Sequence, residues 1–340
     1  MSHPTPDHII SVAIGYGVSK ILLTAVGLGL FTRLAQAPMK LDQIIDAYGL
    51  VRRPAMDMLD LLVSVDLLER EGQGDTARYS NTPATAKFLN KASPDYLGGL
   101  IELWENRNFR YWADIDVSLR TGRAVSEARE DDEDFFGTLY SDPDRLESFL
   151  DAMTGASARN FEMLAKVFPF EKFSSMADIG GADALLSRIV AAAHPNLRIK
   201  TFDLPVVTEV ARRKIEATGF EDRIIPMAGD FFEDPLPAAD VITMGMILHD
   251  WNLERKLMLL RKAYEALPDG GVLIAIEALI DDERRTNTFA LFMSLTMAME
   301  FGDAFDFSFS EFRGWCEEVG FRRFEAIPLV GPSTAAIAHK

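Results

Sequence analysis

Gly180 and Gly181 follow the apolar run Met176–Ile179, Asp203 closes the run Arg198–Phe202, and Asp230 follows Gly229 after the run Arg223–Met227. Two adjacent glycines carry no Cβ, so a ligand can approach the backbone closely there. A carboxylate at one strand tip suits both hydroxyls of a ribose, and a second carboxylate one strand further suits the amino group of adenine. The glycine run reads Gly-Gly-Ala-Asp-Ala. It lacks the closing glycine of a dinucleotide fingerprint, and no Gly-Lys-Ser/Thr phosphate loop occurs. These residues therefore suit a nucleoside without phosphates better than NAD or ATP. His249 lies just past the fourth apolar run, Asp240–Gly245. An imidazole titrates near neutrality and can take a hydroxyl proton from a substrate held at that point. The competing reading is a helix-entry histidine with a structural hydrogen bond.

The elements that must position these groups follow from periodicity. Leu185, Leu186, Ile189, Val190 and Ala193 share one helical face, and a second helix is expected over Val206–Thr218. Strand, helix, strand, helix, strand is a β-α-β-α-β unit, which calls for a parallel sheet with right-handed crossovers. Its ligands sit beyond the carboxyl ends of the strands. Further on, Glu254–Leu267 reads as a helix, Val272–Glu277 as a fifth strand, and Thr286–Phe301 as a helix rich in Met and Phe, divided between core packing and pocket lining. Ser308 and Glu311 have the spacing of a capping box. Phe321–Leu329 and Ala335–His339 are expected to close the sheet as an antiparallel pair.

Five motifs occur in a fixed order over about half of the chain: Asp178-Ile-Gly-Gly, Phe202-Asp203-Leu204-Pro, Gly229-Asp230-Phe231-Phe, Leu248-His249-Asp250-Trp251 and Leu267-Pro-Asp-Gly-Gly-Val. In this order they resemble the class I S-adenosylmethionine (SAM)-dependent methyltransferases of the plant-type O-methyltransferase family. The resemblance implies an α/β, Rossmann-like methyltransferase domain behind an α-helical, winged-helix dimerisation domain. It implies SAM as methyl donor, no metal, a small-molecule substrate and a homodimer. For cofactor contact it points to Asp178, Gly180, Gly181, Asp203, Leu204, Gly229, Asp230, Phe231 and Gly245. His249 matches the family's catalytic base and Glu277 the acid that steers it. Met153, Met293 and Asp306 fall on the substrate side, and the helix that carries Met153 and Ser157 leads them towards the cofactor region. Three positions depart from the pattern: Ala182 replaces a glycine, Gly245 stands where many relatives carry lysine, and Phe307 replaces an arginine beside the acidic position of Asp306.

The chain has 340 residues, 48% hydrophobic, enough for two cores: a dimerisation domain over 1–92, then a helical connector and methyltransferase domain over 93–340 with the Rossmann-like part from about 171. A net charge of −17 argues against nucleic acid and anionic membrane, which need basic surface. The single cysteine, Cys316, excludes an internal disulfide and reads as a small core residue. No signal peptide and no membrane-length apolar run are expected, so the expected compartment is the cytoplasm. Ile9–Leu34 is apolar nearly all round, a pattern that needs burial on most sides, and a second copy of the chain is the simplest cover. Its glycines, Gly27 among them, suggest a break near that residue. Lys40–Phe88 reads as helix-turn-helix plus hairpin, with a helix over Leu41–Tyr48, another over Pro54–Leu68, a turn over Glu69–Asp75 and a strand over Ala77–Ser80. The would-be recognition helix is acidic, which favours scaffold and dimerisation over DNA reading. Helices are expected over Asp95–Leu119 and Asp144–Lys166, with a charged loop over Ala124–Asp134 between them. Arg107, Arg110 and Tyr111 are candidates for clamping a substrate carboxylate, and the plain alternative is an exposed helix face paired with Glu102 and Glu105.

For a hydroxyl acceptor, His249 is the expected base. For a thioether acceptor no proton leaves, and rings of Phe301, Phe305, Phe307 and Phe309 about the acceptor would favour the sulfonium product. The Phe-rich stretch and the arginine pair lean towards S-methylation of a small anionic thioether such as 4-methylthio-2-hydroxybutyrate, the methylation step of dimethylsulfoniopropionate synthesis. An aromatic hydroxyl acceptor stands close behind. A cofactor-binding winged-helix regulator, and a relative that has lost methylation, are the readings of other classes.

Overall fold

The computed structural model describes residues 4–126 and 142–340. The charged loop expected over Ala124–Asp134 therefore lies outside the described residues beyond Ser126. The chain divides into two units, residues 1–110 with 151–155, and residues 111–150 with 156–340. The first runs past residue 92, the boundary expected from the sequence.

In the first unit, α1 (Asp7–Gly27) and α2 (Leu30–Leu34) are separated at Gly29, whose φ of 70° is one that glycine adopts without strain. The break expected near Gly27 is thus realised two residues on. Helix α1 is long and apolar enough to cross a membrane by length and composition, where no such run was expected. Ser11, Tyr16, Ser19 and Lys20 interrupt its apolar stretches, and that hides its average. Its first half leaves Ile9, Ile10, Val12, Ile14 and Tyr16 exposed, whereas Ala25, Val26, Leu30, Phe31 and Leu34 enter a core with Ile44, Leu59 and Leu62. Helices α3 (Leu41–Tyr48) and α4 (Arg52–Ser64) fall between the first and second strands of an antiparallel sheet, ordered β1 (Met39–Lys40), β3 (Arg78–Asn81) and β2 (Leu68–Glu71). Glu69–Glu71 is strand rather than turn, and α4 stops at Ser64 because Leu67 folds back to donate to Leu62 O. Three arginines here are neutralised locally: Arg52 pairs with Asp42, Arg53 with Asp57 at 3.0 Å and Arg70 with Asp60 at 2.6 Å. Cations held this way are poorly placed to neutralise phosphates, which fits a scaffold. After α5 (Pro83–Phe88) and α6 (Gly98–Leu103) the helix widens into a π turn over Trp104–Asn108.

In the second unit, α7 (Ile115–Thr121) and α8 (Pro143–Val167) lead to a seven-stranded sheet of order β6-β5-β4-β7-β8-β10-β9. Helix α8 lends residues 151–155 to the first unit. The strands are β4 (Ser175–Ile179), β5 (Arg198–Asp203), β6 (Ile224–Ala228), β7 (Val241–Gly245), β8 (Val272–Glu277), β9 (Arg323–Pro328) and β10 (Thr334–His339). The first five are parallel, and β10 pairs antiparallel with both β8 and β9, as expected. Strand β8 is buried throughout, as a sheet covered on both faces requires. Helices α9 (Leu185–Ala193), α10 (Pro205–Thr218), α11 (Leu253–Ala266), α12 (Thr288–Phe301) and α13 (Phe309–Val319) complete the unit. The apolar face of α13 carries Phe312 and Cys316 into the core, where burial pushes the thiol well above its usual range. The capping box at its start is formed on both sides: Glu311 N donates to Ser308 Oγ at 3.2 Å and Ser308 N to Glu311 Oε2 at 2.7 Å. Replacement Ser308→Ala is expected to cost about 1 kcal/mol. That should appear as a fall in melting temperature of about 2 °C by calorimetry, and an unchanged melting temperature would contradict the cap.

Candidate active site

Strand order reverses at β4: β5 and β6 lie on one side of it, β7 and β8 on the other. Ligands of parallel sheets bind in the crevice that such a switch opens beyond the strand ends. The residues at those ends are Gly180 and Gly181 after β4, Asp203 on β5, Gly229 and Asp230 after β6, Gly245 on β7 and Glu277 on β8.

The glycine turn has no room for side chains. A Cβ at Gly180 would stand 2.2 Å from Ile247 Cδ1, one at Gly181 2.0 Å from Thr201 Oγ1, and one at Gly229 2.6 Å from the Phe202 ring. Gly180 has φ 66°, and the turn continues through Ala182 at φ 50° and Ala184 at φ 64°. Both alanines hold the left-handed backbone that costs an L-residue roughly 1–2 kcal/mol. Ala182 thus holds a backbone that glycine would adopt without strain. The strain is held by Asp203 Oδ2, which accepts from Ala182 N at 2.9 Å, and by Asp183, which accepts from Leu185 N at 3.1 Å and pairs with Arg188 at 2.9 Å.

The carboxylates divide into two kinds. Asp178 is buried, and both its oxygens are taken by hydroxyls, Ser187 at 3.0 Å and Thr243 at 2.8 Å. It braces the turn from beneath. Asp203 is half-buried at the tip of β5 and accepts from Ala182 N and, at 2.8 Å, from Leu204 N. Burial pushes each of these carboxyls up to about 6; the hydrogen bonds they accept oppose the rise in both cases, and Asp203 adds to it at Asp178. Asp230 is also half-buried, and its Oδ1 accepts from Phe232 N at 2.7 Å. The loop behind it is anchored by Lys262 Nζ, which donates to Phe231 O at 2.6 Å and Phe232 O at 2.9 Å.

Beyond β7 the chain turns through Met246 at φ 57°, whose sulfur accepts from Ser157 Oγ at 3.1 Å. The following 3-10 turn, Leu248–Asp250, aims His249 inward and buries it. Nδ1 lies 2.7 Å from Glu277 Oε2, while Glu277 Oε1 accepts from Leu248 N at 2.9 Å, so the glutamate fixes both the ring and the turn that carries it. Nε2 lies 3.1 Å from Asp250 Oδ1, and Asp306 Oδ1 is 3.9 Å from Nδ1. Burial works against the charged ring, yet Glu277 and Asp250 outweigh it and hold the imidazole well above the usual histidine range. His249, Glu277 and Asp306 each place one ligand atom within 4.8 Å of the others. The ammonium of buried Lys256 lies in the field of the same carboxylates and already supplies the positive charge there.

This arrangement has known counterparts. The chain matches the O-methyltransferase domain over residues 120–322 and the O-methyltransferase dimerisation domain over residues 10–91. It is 35% identical over 98% of its length to the tetracenomycin polyketide synthesis 8-O-methyl transferase of Streptomyces glaucescens, covering 97% of that protein. It is 34% identical to the N,N-dimethyltransferase OxyT of Streptomyces rimosus, over 92% of this chain and 90% of that one. The crystal structure of human N-acetylserotonin methyltransferase in complex with SAM superposes with a TM-score of 0.89 at 27% identity, covering 100% of this chain and 99% of that one. The chain belongs to the O-methyltransferase family. It is a SAM-dependent methyltransferase. The space that a Cβ would need at Gly180, Gly181 and Gly229 is filled by Ile247, Thr201 and Phe202, so packing within the chain accounts for these glycines, where the sequence suggested room for a ligand.

Other expected positions of this methyltransferase are distributed as follows. Gly245 ends β7, where a Cβ would press on the Phe161 ring at 3.3 Å, so a lysine there would have to displace that ring. Met293 on α12 and Tyr111 are half-buried in the second unit, and Asp306 is buried there. Arg107, Arg110 and Met153 belong to the first unit; the π turn buries Arg107 and leaves Arg110 exposed. On that helix Glu105 pairs with Lys20 and Glu102 with Lys91 at 2.8 Å. On α12, Met297 and Met299 are core while Phe289 and Phe292 are exposed, and Trp112 stacks on Phe292 at 4.9 Å. The expected ring of phenylalanines about the acceptor is not formed as such. Phe307 and Phe309 pack into the core beneath α13, and Phe305 lies over Lys256. Sequence reasoning also passed over Lys256, although a lysine three, four and seven residues before Leu259, Leu260 and Ala263 sits on that helix's apolar stripe.

A ribose held at Asp203, as the sequence suggests, would donate its hydroxyls to the ionised carboxylate. Ionisation costs the folded chain stability above its raised pKa, and the cost is relieved as pH falls from about 6 towards 4. S-adenosylhomocysteine affinity is therefore expected to weaken below about pH 6, and Asp203→Asn should lower it at neutral pH and flatten that dependence. Calorimetric titration at several pH values checks this, and a wild-type affinity indifferent to pH would contradict the assignment.

Proposed function

We propose that this methyltransferase transfers the methyl group to a hydroxyl of a small aromatic molecule, with His249 as general base and Glu277 as the group that orients it. The single observation that carries this reading is the 2.7 Å contact between His249 Nδ1 and Glu277 Oε2. A carboxylate on Nδ1 keeps the proton on that nitrogen and leaves Nε2 as the acceptor. SAM supplies an electrophilic methyl group on a sulfonium. This chain's residues then align the acceptor and remove its proton, and alignment alone accounts for much of the rate. In the resting site Nε2 faces Asp250; an acceptor hydroxyl takes that carboxylate's place, which removes one of the two charges that keep the ring protonated. Met293 and Tyr111 are proposed to line the acceptor, and Leu204, Asp230 and Phe231 the adenosine.

Similarity supports oxygen as the acceptor atom, since the Streptomyces glaucescens relative is named an 8-O-methyl transferase and an acetylserotonin O-methyltransferase of Homo sapiens is 32% identical over 85% of the chain. Of the four phenylalanines behind the thioether reading, Phe307 and Phe309 lie in the core and Phe305 over Lys256, and that reading gives the buried imidazole no task. We also infer a homodimer: the exposed apolar half of α1 belongs to a dimerisation domain, and a second copy would cover it.

His249→Gln is expected to lower kcat by about 10²- to 10⁴-fold while S-adenosylhomocysteine binding persists. A rate near wild type would transfer the assignment to a thioether acceptor. Because the base acts unprotonated and its pKa is raised, kcat should climb with pH through and above neutrality in the wild type, and lose that climb in the variant.

A further inference from the structure

Lys256 is fully buried on α11, seven residues after His249. Its ammonium donates to Trp251 O, two residues past His249, and to Phe305 O at 2.8 Å, the residue before Asp306. The Phe305 ring centroid lies 3.6 Å from Nζ and that of Phe307 5.8 Å. Among the described residues Lys256 makes no direct ion pair, so its charge acts through space rather than through a locked contact. The charged groups that face it are Glu277 from β8, Asp250 beside His249 on the 3-10 turn, and Asp303 and Asp306 from the stretch between α12 and α13. The two loops it joins are also tied by Asn252, which donates to Asp303 at 2.8 Å, and Ile280 N donates to Phe307 O at 2.9 Å.

We propose that Lys256 is a positioning residue for the proton transfer at His249: its buried ammonium staples the histidine loop to the Asp306 loop and offsets one carboxylate of the cluster, keeping the imidazole able to accept a proton. The proposal rests on His249 acting as base. Without the ammonium, His249 would face Glu277, Asp250 and Asp306 with no counter-charge in the same pocket. Each would favour the imidazolium, and an opposite charge a few ångströms away commonly moves a titration by about 1–3 pH units. Burial lowers the lysine to about 8, and the surrounding carboxylates work against that fall, so it stays charged at neutral pH. Asp306 has the complementary position. Its Oδ2 has no hydrogen-bond partner, burial pushes its carboxyl up to about 7, and His249 and Lys256 pull it back. A fully buried lysine is costly to a fold, and packing alone would be served as well by methionine.

The test compares wild type with Lys256→Met by NMR titration of the His249 imidazole, one of five histidines, assigned by its loss in His249→Gln, and by the pH profile of kcat. The expected result is a rise of the imidazole midpoint by about one pH unit or more, with the acid limb of kcat displaced equally and activity recovering at high pH. A loss of kcat at every pH with an unmoved midpoint means that Lys256 only packs, and overturns the proposal. If the single variant does not fold, Lys256→Met/Asp306→Asn removes one charge of each sign. A midpoint near wild type then supports charge compensation, and a midpoint displaced as far as the single change predicts overturns it, as does failure of both variants to fold. The NMR midpoint needs no turnover, so a wrong assignment of the base, seen as unimpaired kcat in His249→Gln, is separable from a wrong role for Lys256.

Discussion

A buried imidazole held between carboxylates at 2.7 and 3.1 Å is the constraint on which the rest of this molecule depends. A charge buried in protein survives only with partners, so the strands, turns and loops around it must be placed to within fractions of an ångström. The fixed frame is the parallel sheet. Strand β8 delivers Glu277 at its end, β7 delivers the turn that carries His249, and the 2.9 Å bond from Leu248 N to the other glutamate oxygen makes turn and strand one unit. The opposite side of β4 has an analogous economy. Asp203 accepts from the two backbone amides that shape the glycine turn, so the group suited to the ribose is also the group that forms the cradle.

The two halves of the crevice use burial differently. On the β4–β5 side, burial pushes the carboxyls of Asp178 and Asp203 up to about 6 against the hydrogen bonds they accept. On the acceptor side, burial raises Asp306 and lowers Lys256, and the carboxylates beside His249 outweigh the same effect on the ring. Groups whose titrations are displaced by burial and specific partners are typical of reaction centres. Here they sit at the switch point of the sheet, where fold geometry already places a ligand.

Much of the architecture was legible in the chain. Short apolar runs marked every strand of the larger sheet to within two residues, and Ser308 with Glu311 announced the start of α13. The misreadings share a cause. Glu69–Glu71 looked like a turn because its charged side chains are exposed on a hairpin that only pairing with Arg78–Asn81 makes a strand. The phenylalanines after Gly302 looked like pocket lining because composition shows aromatics and not their direction. Arg107 and Arg110 looked like a pair because spacing assumes an α-helix, and the π turn sets one inside and the other out.

By itself the sequence determined the β-α-β order, the glycine pair, the acidic strand tips and the histidine, because each is a local matter of residue type at a given spacing. Family resemblance paired Glu277 with His249, 28 residues away, and the fold supplies the contact itself. Tertiary structure alone decided the rest: that Asp306 meets the same imidazole, that Lys256 faces them from a helix whose period marks it only as buried, and that two alanines hold a glycine's backbone. Contacts between residues far apart in sequence are set by packing, and packing is a property of the whole sheet rather than of any stretch of chain.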